Sequence, residues 1–413
     1  MPELEDTPQD EVRTGRGPWR PAHQRPQAEQ LEADIACDVA IIGGGITGAL
    51  VAQHLSAQGH KVVVVDRERE GFGSTAASTA MLQWEIDLPL RELSKLYGFE
   101  AAADVYRRSL RAVSGLCELG VQLALNAAFL PRDTVYLAAG DVGPRELAEE
   151  HALRQRAGLP GELLDHATLL GTFGFDRAAA IVSPGSAEAD PLSLCHAMLG
   201  LAAQNGARLI RDDAVTFHGT GKTGGVELAS GRTIEARHIV LATGYVMPDC
   251  VKSDLHSIAS SWALATAPQP PAAFWPGPSL VWEASEDYIY CRSTTDGRIV
   301  FGGEDEERDD PDERARLGPQ KTAALLGKLE ALLPAARPTV DFAWSGAFGK
   351  TADGLPLIGR VPGHPRLLAA YGYGGNGITF SFLASRVIAQ LIAGAEAPWF
   401  RHFAIDRPDP TQP

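Results

Sequence analysis

The chain has 413 residues, 45% of them hydrophobic, with 43 glycines and 28 prolines, an α/β-type composition with more chain than one core usually organises, so two domains are expected. A formal net charge of −15 excludes a nucleic-acid backbone as ligand and a basic membrane-docking face. The cysteines Cys37, Cys117, Cys195, Cys250 and Cys291 form no Cys-x-x-Cys pair, which argues against a disulfide scaffold, a zinc ribbon and a dithiol redox centre, and no metal site is expected.

Residues 1–34 mix Pro, Gln and charge without periodicity and read as an arm that is extended over the surface or partly disordered. The start lacks the apolar stretch of a secretory signal, and no run reaches the roughly 18 uninterrupted apolar residues of a membrane span, so a cytoplasmic protein is expected. Two almost wholly apolar runs, Asp38 to Ile42 and Lys61 to Asp66, predict parallel strands buried on both faces. Between them Ala49, Leu50, Ala52 and Leu55 fall at helical spacing, with Gly59 as the stop. Asp190 and Pro191 open a further helix that ends near Gly206. Strands follow at Ala207 to Ile210, Val215 to His218, Gly225 to Leu228 and His238 to Leu241. Tyr288 to Tyr290 and Ile299 to Phe301 predict a hairpin around Asp296 and Gly297, and the last helix is expected from Ile378 to Ile392.

Gly43, Gly45 and Gly48 make G-x-G-x-x-G between the first strand and its helix. The three glycines respectively allow a tight turn, backbone approach to a pyrophosphate, and close packing of helix on strand. Ile46 and Thr47 lie in the first helical turn, whose free N–H groups face the phosphates. Asp66 ends the second strand, placed to accept hydrogen bonds from a ribose 2′-OH, and Arg67 follows it. A bare glycine-rich loop is the alternative, but strand, helix, second strand and terminal acid agree on a dinucleotide site.

The order DVAIIGGGITG, VVVVDRE, FGSTAASTAMLQ, IVLATGY, FGGEDE, TADGLPLIG and YGYGGNGIT resembles the FAD-dependent family of D-amino-acid oxidase, glycine oxidase, sarcosine oxidase and γ-glutamylputrescine oxidoreductase, from about Trp19 onward. The resemblance implies an α/β fold class: a Rossmann-type FAD-binding domain with a mostly parallel sheet from 35–115, 180–247 and 338–413, and a second α+β substrate domain with an antiparallel sheet from 116–179 and 248–337, preceded by the 1–34 arm. It implies that Gly73, Ser74, Thr75, Ser78 and Thr79 contact pyrophosphate and flavin, with Met81, Leu82 and Gln83 beside the ring. It also implies backbone contacts from Val215 to adenine, and close passage of Thr243 and Gly244. The turn Gly374, Gly375, Asn376 and Gly377, continuing into Ile378 and Thr379, would set a helix N-terminus against the flavin's pyrimidine edge. Negative charge develops there when hydride reaches N5, and fixed N–H groups stabilise it.

The function implied is oxidation of the C–N bond of a small amine or N-substituted amino acid by hydride transfer to flavin N5, with oxygen or another electron acceptor completing the cycle. The alternatives are a dehydrogenase delivering electrons to a quinone or partner protein, and a flavin-bearing subunit of a larger complex. Glycine and D-amino-acid oxidases of the family carry an Arg where Phe348 stands, and glycine oxidases another where Gly375 stands. Without those carboxylate grips an amine gains over a simple α-amino acid. The cysteine that tethers flavin in sarcosine-oxidase relatives corresponds to Gly346, so non-covalent FAD is expected, and their oxygen-activating Lys corresponds to Val300. Arg292 is the remaining cation candidate for substrate or flavin, against a structural ion pair. Trp84, Phe348 and Tyr373 are candidates for an aromatic amine pocket, against a role in the core. Glu85, Asp87, Glu304 and Asp305 lie in segments expected to flank the site. No catalytic base stands out; His218, His238 and His256 read as surface or structural.

Overall fold

Five strands lie parallel in the order His364–Tyr371, Thr233–Leu241, Ile35–Ile42, Val62–Asp66 and Arg208–Arg211, and Leu357–Val361 closes one edge antiparallel. They belong to a computed structural model that describes residues 12–20, 25–123, 129–219, 221–251, 253–308 and 310–412. The continuous apolar run is explained by two-sided burial, since Val62 to Val65 are at most 3% exposed and both faces of a parallel sheet are covered. Val39, Ile41, Val62 and Val64 pack with the helices Ile46–Ala57, Pro191–Gln204 and Gly377–Ile392. Ala40, Ile42, Val63 and Val65 pack on the other face beneath the hairpin Ala214–His218 and Gly224–Leu228. Each buried Val contributes roughly 1.5–3 kcal/mol over an exposed one. The predicted start of the helix at 191 is confirmed: Asp190 Oδ1 accepts the Ser193 N–H at 2.8 Å, and Pro191 occupies the first turn.

A second sheet runs in the order Arg13–Gly15, Val340–Thr351, His256–Thr266, Ile299–Glu306, Ile289–Ser293, Leu280–Ala284, Phe129–Ala138, Ala179–Ala189 and Met81–Leu82, with Glu162–Asp165 added on Ala179–Ala189. All its pairings are antiparallel except Leu280–Ala284 with Phe129–Ala138. The helix Pro311–Leu332 covers one face through Leu325, Leu329 and Leu332. The predicted hairpin is present, with Gly297 at φ +80° in its turn and Arg292 opposite Val300.

The expected segment boundaries shift in two places. Residues 180–189 and 340–351, read from sequence with the cofactor portion, pair along their length with Phe129–Ala138 and His256–Thr266. Antiparallel ladders with strands distant in sequence claim them, and nothing local to either segment announces this. The described part of the N-terminal arm is also tied down. Arg13–Gly15 adds a strand against Trp344 to Gly346, and the Trp19 ring meets Trp344 edge-on at 6.4 Å. The rest of the expected 1–34 arm falls partly outside the described residues. No described helix is long and apolar enough to cross a membrane.

Candidate active site

A cavity of about 730 Å³ runs between the two sheets, lined at one end by the glycine loop, Asp66 and Val215, and at the other by Tyr245, Tyr288, Phe348 and Gly374–Gly375. Its first wall is made by the close approach that the glycine spacing predicted. Gly43 has φ +108°, and a Cβ there would lie 2.2 Å from the Ala242 carbonyl oxygen. A Cβ on Gly48 would lie 1.9 Å from the Gly43 oxygen, so a side chain at either position drives backbone apart. Gly45, which has no side chain to offer, stands at the N-cap of the helix Ile46–Ala57, and Gly43, Gly45, Ile46 and Thr47 line the cavity.

Asp66 and Arg67 line the same end. Asp66 Oδ2 accepts the Gly44 N–H at 2.6 Å and Oδ1 the Glu68 N–H at 2.8 Å. Burial pushes this carboxyl up to about 6 against the pull of the two N–H donors, with Glu70 and Glu68 raising it further. Val215, 56% exposed, stands at the edge of the cavity, and Thr243 and Gly244 line it where the strand Thr233–Leu241 ends.

Gly73, Ser74, Thr75, Ser78 and Thr79 are on the wall. Thr75 has a partner already: its Oγ1 accepts the Ile46 N–H at 3.0 Å and so caps the dinucleotide helix from outside. Met81 and Leu82 are not on the wall. They form a short edge strand against Ala187 and Glu188, and Leu82 is fully buried in the core. Gln83 ties this segment to the glycine turn, its carbonyl accepting from Thr379 Oγ1 at 2.9 Å and Asn376 Nδ2 at 3.3 Å. Its own Nε2 is a buried donor without a partner. Asn376 and Thr379 therefore act by holding the 83–85 backbone, whereas Gly374, Gly375, Gly377 and Ile378 reach the cavity directly.

Two substrate candidates are corrected. Trp84 is fully buried, donates its indole N–H to the Pro184 carbonyl at 2.9 Å and meets Tyr106 edge-on. Arg292, 3% exposed, donates to the Thr79 and Ala189 carbonyls at 2.7 and 2.8 Å and pairs with Glu188 at 3.3 Å beneath the Trp19 ring. The structural ion pair is therefore the correct reading: the arm covers Arg292, which its own strand gives no sign of. Glu85 is likewise buried, accepting from Thr134 and facing Arg154 at 3.6 Å, and Glu304 pairs with Lys321 and Lys328.

Phe348 and Tyr373 do line the cavity, joined by Tyr245 and Tyr288, which the sequence reading left unassigned. Tyr288 donates its hydroxyl to Asp305 Oδ2 at 2.8 Å. Asp87 Oδ2 accepts the Gly375 N–H at 2.6 Å. The basic side chains on the described lining are Arg67 and Arg69, beside Asp66, and no histidine is on it. Among the described residues no group of three or more His, Cys, Asp or Glu is placed to hold a metal ion.

A second missed feature lies in the TADGLP segment. Asp353 is fully buried and grips Arg407 through both oxygens at 2.7 Å, while Arg407 also donates to the Leu355 and Pro356 carbonyls. The C-terminal tail thus locks the chain between the strand carrying Phe348 and the strand leading to the glycine turn.

These residues fit a flavin dinucleotide: a glycine cradle that a Cβ would fill, a helix start facing the cavity, a strand-end carboxylate and an unpartnered buried amide. The model of the family "FAD dependent oxidoreductase" matches residues 38–391. The chain belongs to that family. This FAD-dependent oxidoreductase is 26% identical over 385 residues to gamma-glutamylputrescine oxidoreductase of Escherichia coli, spanning 91% of this chain and 88% of the relative. It is 27% identical over 393 residues to glycine oxidase of Bacillus licheniformis, spanning 90% and 97%. The crystal structure of glycine oxidase from Geobacillus kaustophilus superimposes with a TM-score of 0.74 at 21% identity, covering 91% of this chain and 99% of that one.

Proposed function

We propose that this FAD-dependent oxidoreductase oxidises the C–N bond of a small amine or N-substituted amino acid, with FAD held non-covalently and oxygen as final acceptor. The observation that carries the reading is the composition of the cavity end away from Asp66. Tyr245, Tyr288 and Phe348 wall it, the carboxylates Asp87 and Asp305 stand behind, and no Arg or Lys lines it among the described residues. Aromatic faces and carboxylates attract a cationic nitrogen, whereas an α-amino acid is held best by a bidentate Arg. The relatives' names, glycine oxidase and gamma-glutamylputrescine oxidoreductase, place such nitrogen compounds within the family's range.

When bound beside the glycine loop, Asp66 and the Gly374–Gly377 turn, FAD would supply the two-electron oxidant for the carbon bearing the amine. The nitrogen gives up a proton, and water hydrolyses the resulting imine to a carbonyl compound and free amine or ammonia. The chain's own part is placement and electrostatics. The helix Gly377–Ile392 begins at Asn376 without a side-chain cap, so its N–H groups and dipole favour negative charge in front of the glycine turn. No side chain is assigned as base: a substrate bound as ammonium loses one proton to water before hydride leaves the carbon, and the neutral amine then needs no base for that step.

Non-covalent binding is supported at two cysteine positions. Gly346 lines the cavity with Ala77 Cβ 2.8 Å from where its own Cβ would be. Cys250 is on the wall, and burial raises its thiol above the ordinary range, away from the nucleophilic thiolate. The test is anaerobic mixing of the yellow protein with a panel of amines, N-methylated amino acids, glycine and D-alanine. Bleaching by amines with little by glycine supports the proposal, and bleaching confined to α-amino acids refutes it. Admitting oxygen or a quinone to the bleached enzyme then identifies the acceptor.

A further inference from the structure

The glycine turn is shaped around one carboxylate. A Cβ on Gly374 would lie 2.2 Å from Asp87 Oδ2, and one on Gly375 2.8 Å from Asp87 Oδ1. Asp87 Oδ2 takes the Gly375 N–H, and among the described residues no donor pairs with Oδ1. The lysine that acts on it, Lys350, is itself engaged by Glu307 at 2.8 Å. Asp87 is itself exposed, is not on the cavity lining, and stands beside the two glycines that are. Gly374 and Gly375, which it touches, line the cavity together with Phe348, Tyr245 and Tyr288.

We propose that Asp87 is the specificity-determining residue of the substrate end, its free oxygen pairing with the ammonium group of an incoming amine while the aromatic walls cover the alkyl portion. The inference rests on the amine reading above and sharpens it: the preferred substrate is cationic at the point of binding, and a carboxylate beside the amine is repelled by Asp87 and Asp305. Carboxylates that are paired only with a backbone N–H serve turns as well, and a structural role for Asp87 is the competing account. Asparagine separates the two, since its side-chain oxygen still accepts from Gly375 while the charge is gone.

The charge itself is set by its surroundings. Desolvation pushes Asp87 up to about 6, the Gly375 N–H and Lys350 pull it down, and Asp305 raises it. Tyr288 and Tyr245 also face it, both neutral at this pH because burial raises their hydroxyls. Asp87 is therefore anionic above about pH 6 and neutral below it, and cation binding should weaken as pH falls through that value.

The experiment uses the full-length FAD-loaded enzyme and its Asp87→Asn and Asp87→Glu variants. Anaerobic stopped-flow reduction by n-butylamine yields a limiting rate and an apparent Kd, and tetramethylammonium, which stays charged and cannot be oxidised, serves as competitor. In Asp87→Asn the apparent Kd for n-butylamine should rise about tenfold or more with the limiting rate nearly kept, as expected for a lost charge-assisted hydrogen bond, and that for tetramethylammonium, which carries charge but no N–H, should rise by less. Asp87→Glu should recover part of the affinity. Tetramethylammonium should compete less well below pH 6 with the native enzyme and show no such dependence with Asp87→Asn. Native affinity for both cations in Asp87→Asn, or failure of tetramethylammonium to compete with the native enzyme, overturns the inference. If no amine bleaches the native flavin, the functional reading itself falls, which is a distinguishable result.

Discussion

Around Asp66 the cavity wall is mostly backbone: a glycine turn with no room for a Cβ, a helix start and one strand-end carboxylate. Around Phe348 the wall is made of side chains from strands and turns far apart in the chain, Tyr245, Tyr288 and Phe348 with the Gly374–Gly375 turn, and Asp87 stands beside that turn. The first end tolerates almost no change, because its geometry is the backbone's own. The second can be rewritten one side chain at a time, which is how a shared cofactor fold serves different substrates.

The sharpest break in this comparison is Gly48→Val. With the Gly43 oxygen 1.9 Å from the new Cβ, helix and strand must separate, and the variant should be purified without FAD or not fold at all. The flavin-to-protein absorbance ratio checks this, and a yellow, stable variant would mean that the close approach is dispensable. Arg407→Ala comes next. Leaving the fully buried Asp353 carboxylate without its partner should cost about 3–5 kcal/mol, visible as a clear drop in Tm, while FAD that remains bound is still reduced by amines.

Asp66→Ala should weaken FAD by about 1.5–3 kcal/mol for a charged hydrogen-bond acceptor, with the protein still folded although the Gly44 and Glu68 N–H groups lose their acceptor. The native enzyme should show a related pH effect. Asp66 sits at about 6, above an ordinary aspartate, so it is protonated as pH falls through that value and loses its strength as an acceptor. FAD dissociation measured by flavin fluorescence should therefore rise below about pH 6, and Asp66→Ala should flatten that rise. The smallest expected effect belongs to the substrate end: Phe348→Leu keeps an apolar wall and should shift the apparent Kd for amines by about 0.5–1 kcal/mol, the worth of an exposed cation–π contact, with FAD retention unchanged.

The contrast also explains what was legible from sequence. The Gly43, Gly45, Gly48 spacing and the Val62 to Val65 run carry their meaning within a few residues, so loop, helix and parallel strands were readable. Trp84 and Arg292 were misplaced because proximity in sequence to a flavin segment does not say which face of a strand is covered. Leu82 and Trp84 are both fully buried, and Arg292 lies under Trp19, brought there by a strand near the N-terminus. Tyr245 followed a recognised motif yet carried no mark of its own, and the Asp353–Arg407 lock joins residues that no local pattern relates. Residues 180–189 and 340–351 join the second sheet through partners distant in sequence, which no local pattern shows.

The central claim is that the substrate end selects a cationic amine and disfavours a neighbouring carboxylate. The most direct measurement compares two molecules that differ only in that group, n-butylamine and norvaline, the latter in both D and L forms, by anaerobic flavin reduction at pH 8. The account predicts that n-butylamine reduces the flavin with a much larger ratio of limiting rate to apparent Kd than either form of norvaline, since no described Arg or Lys lines that end. Reduction by D- or L-norvaline as efficient as by n-butylamine would contradict it.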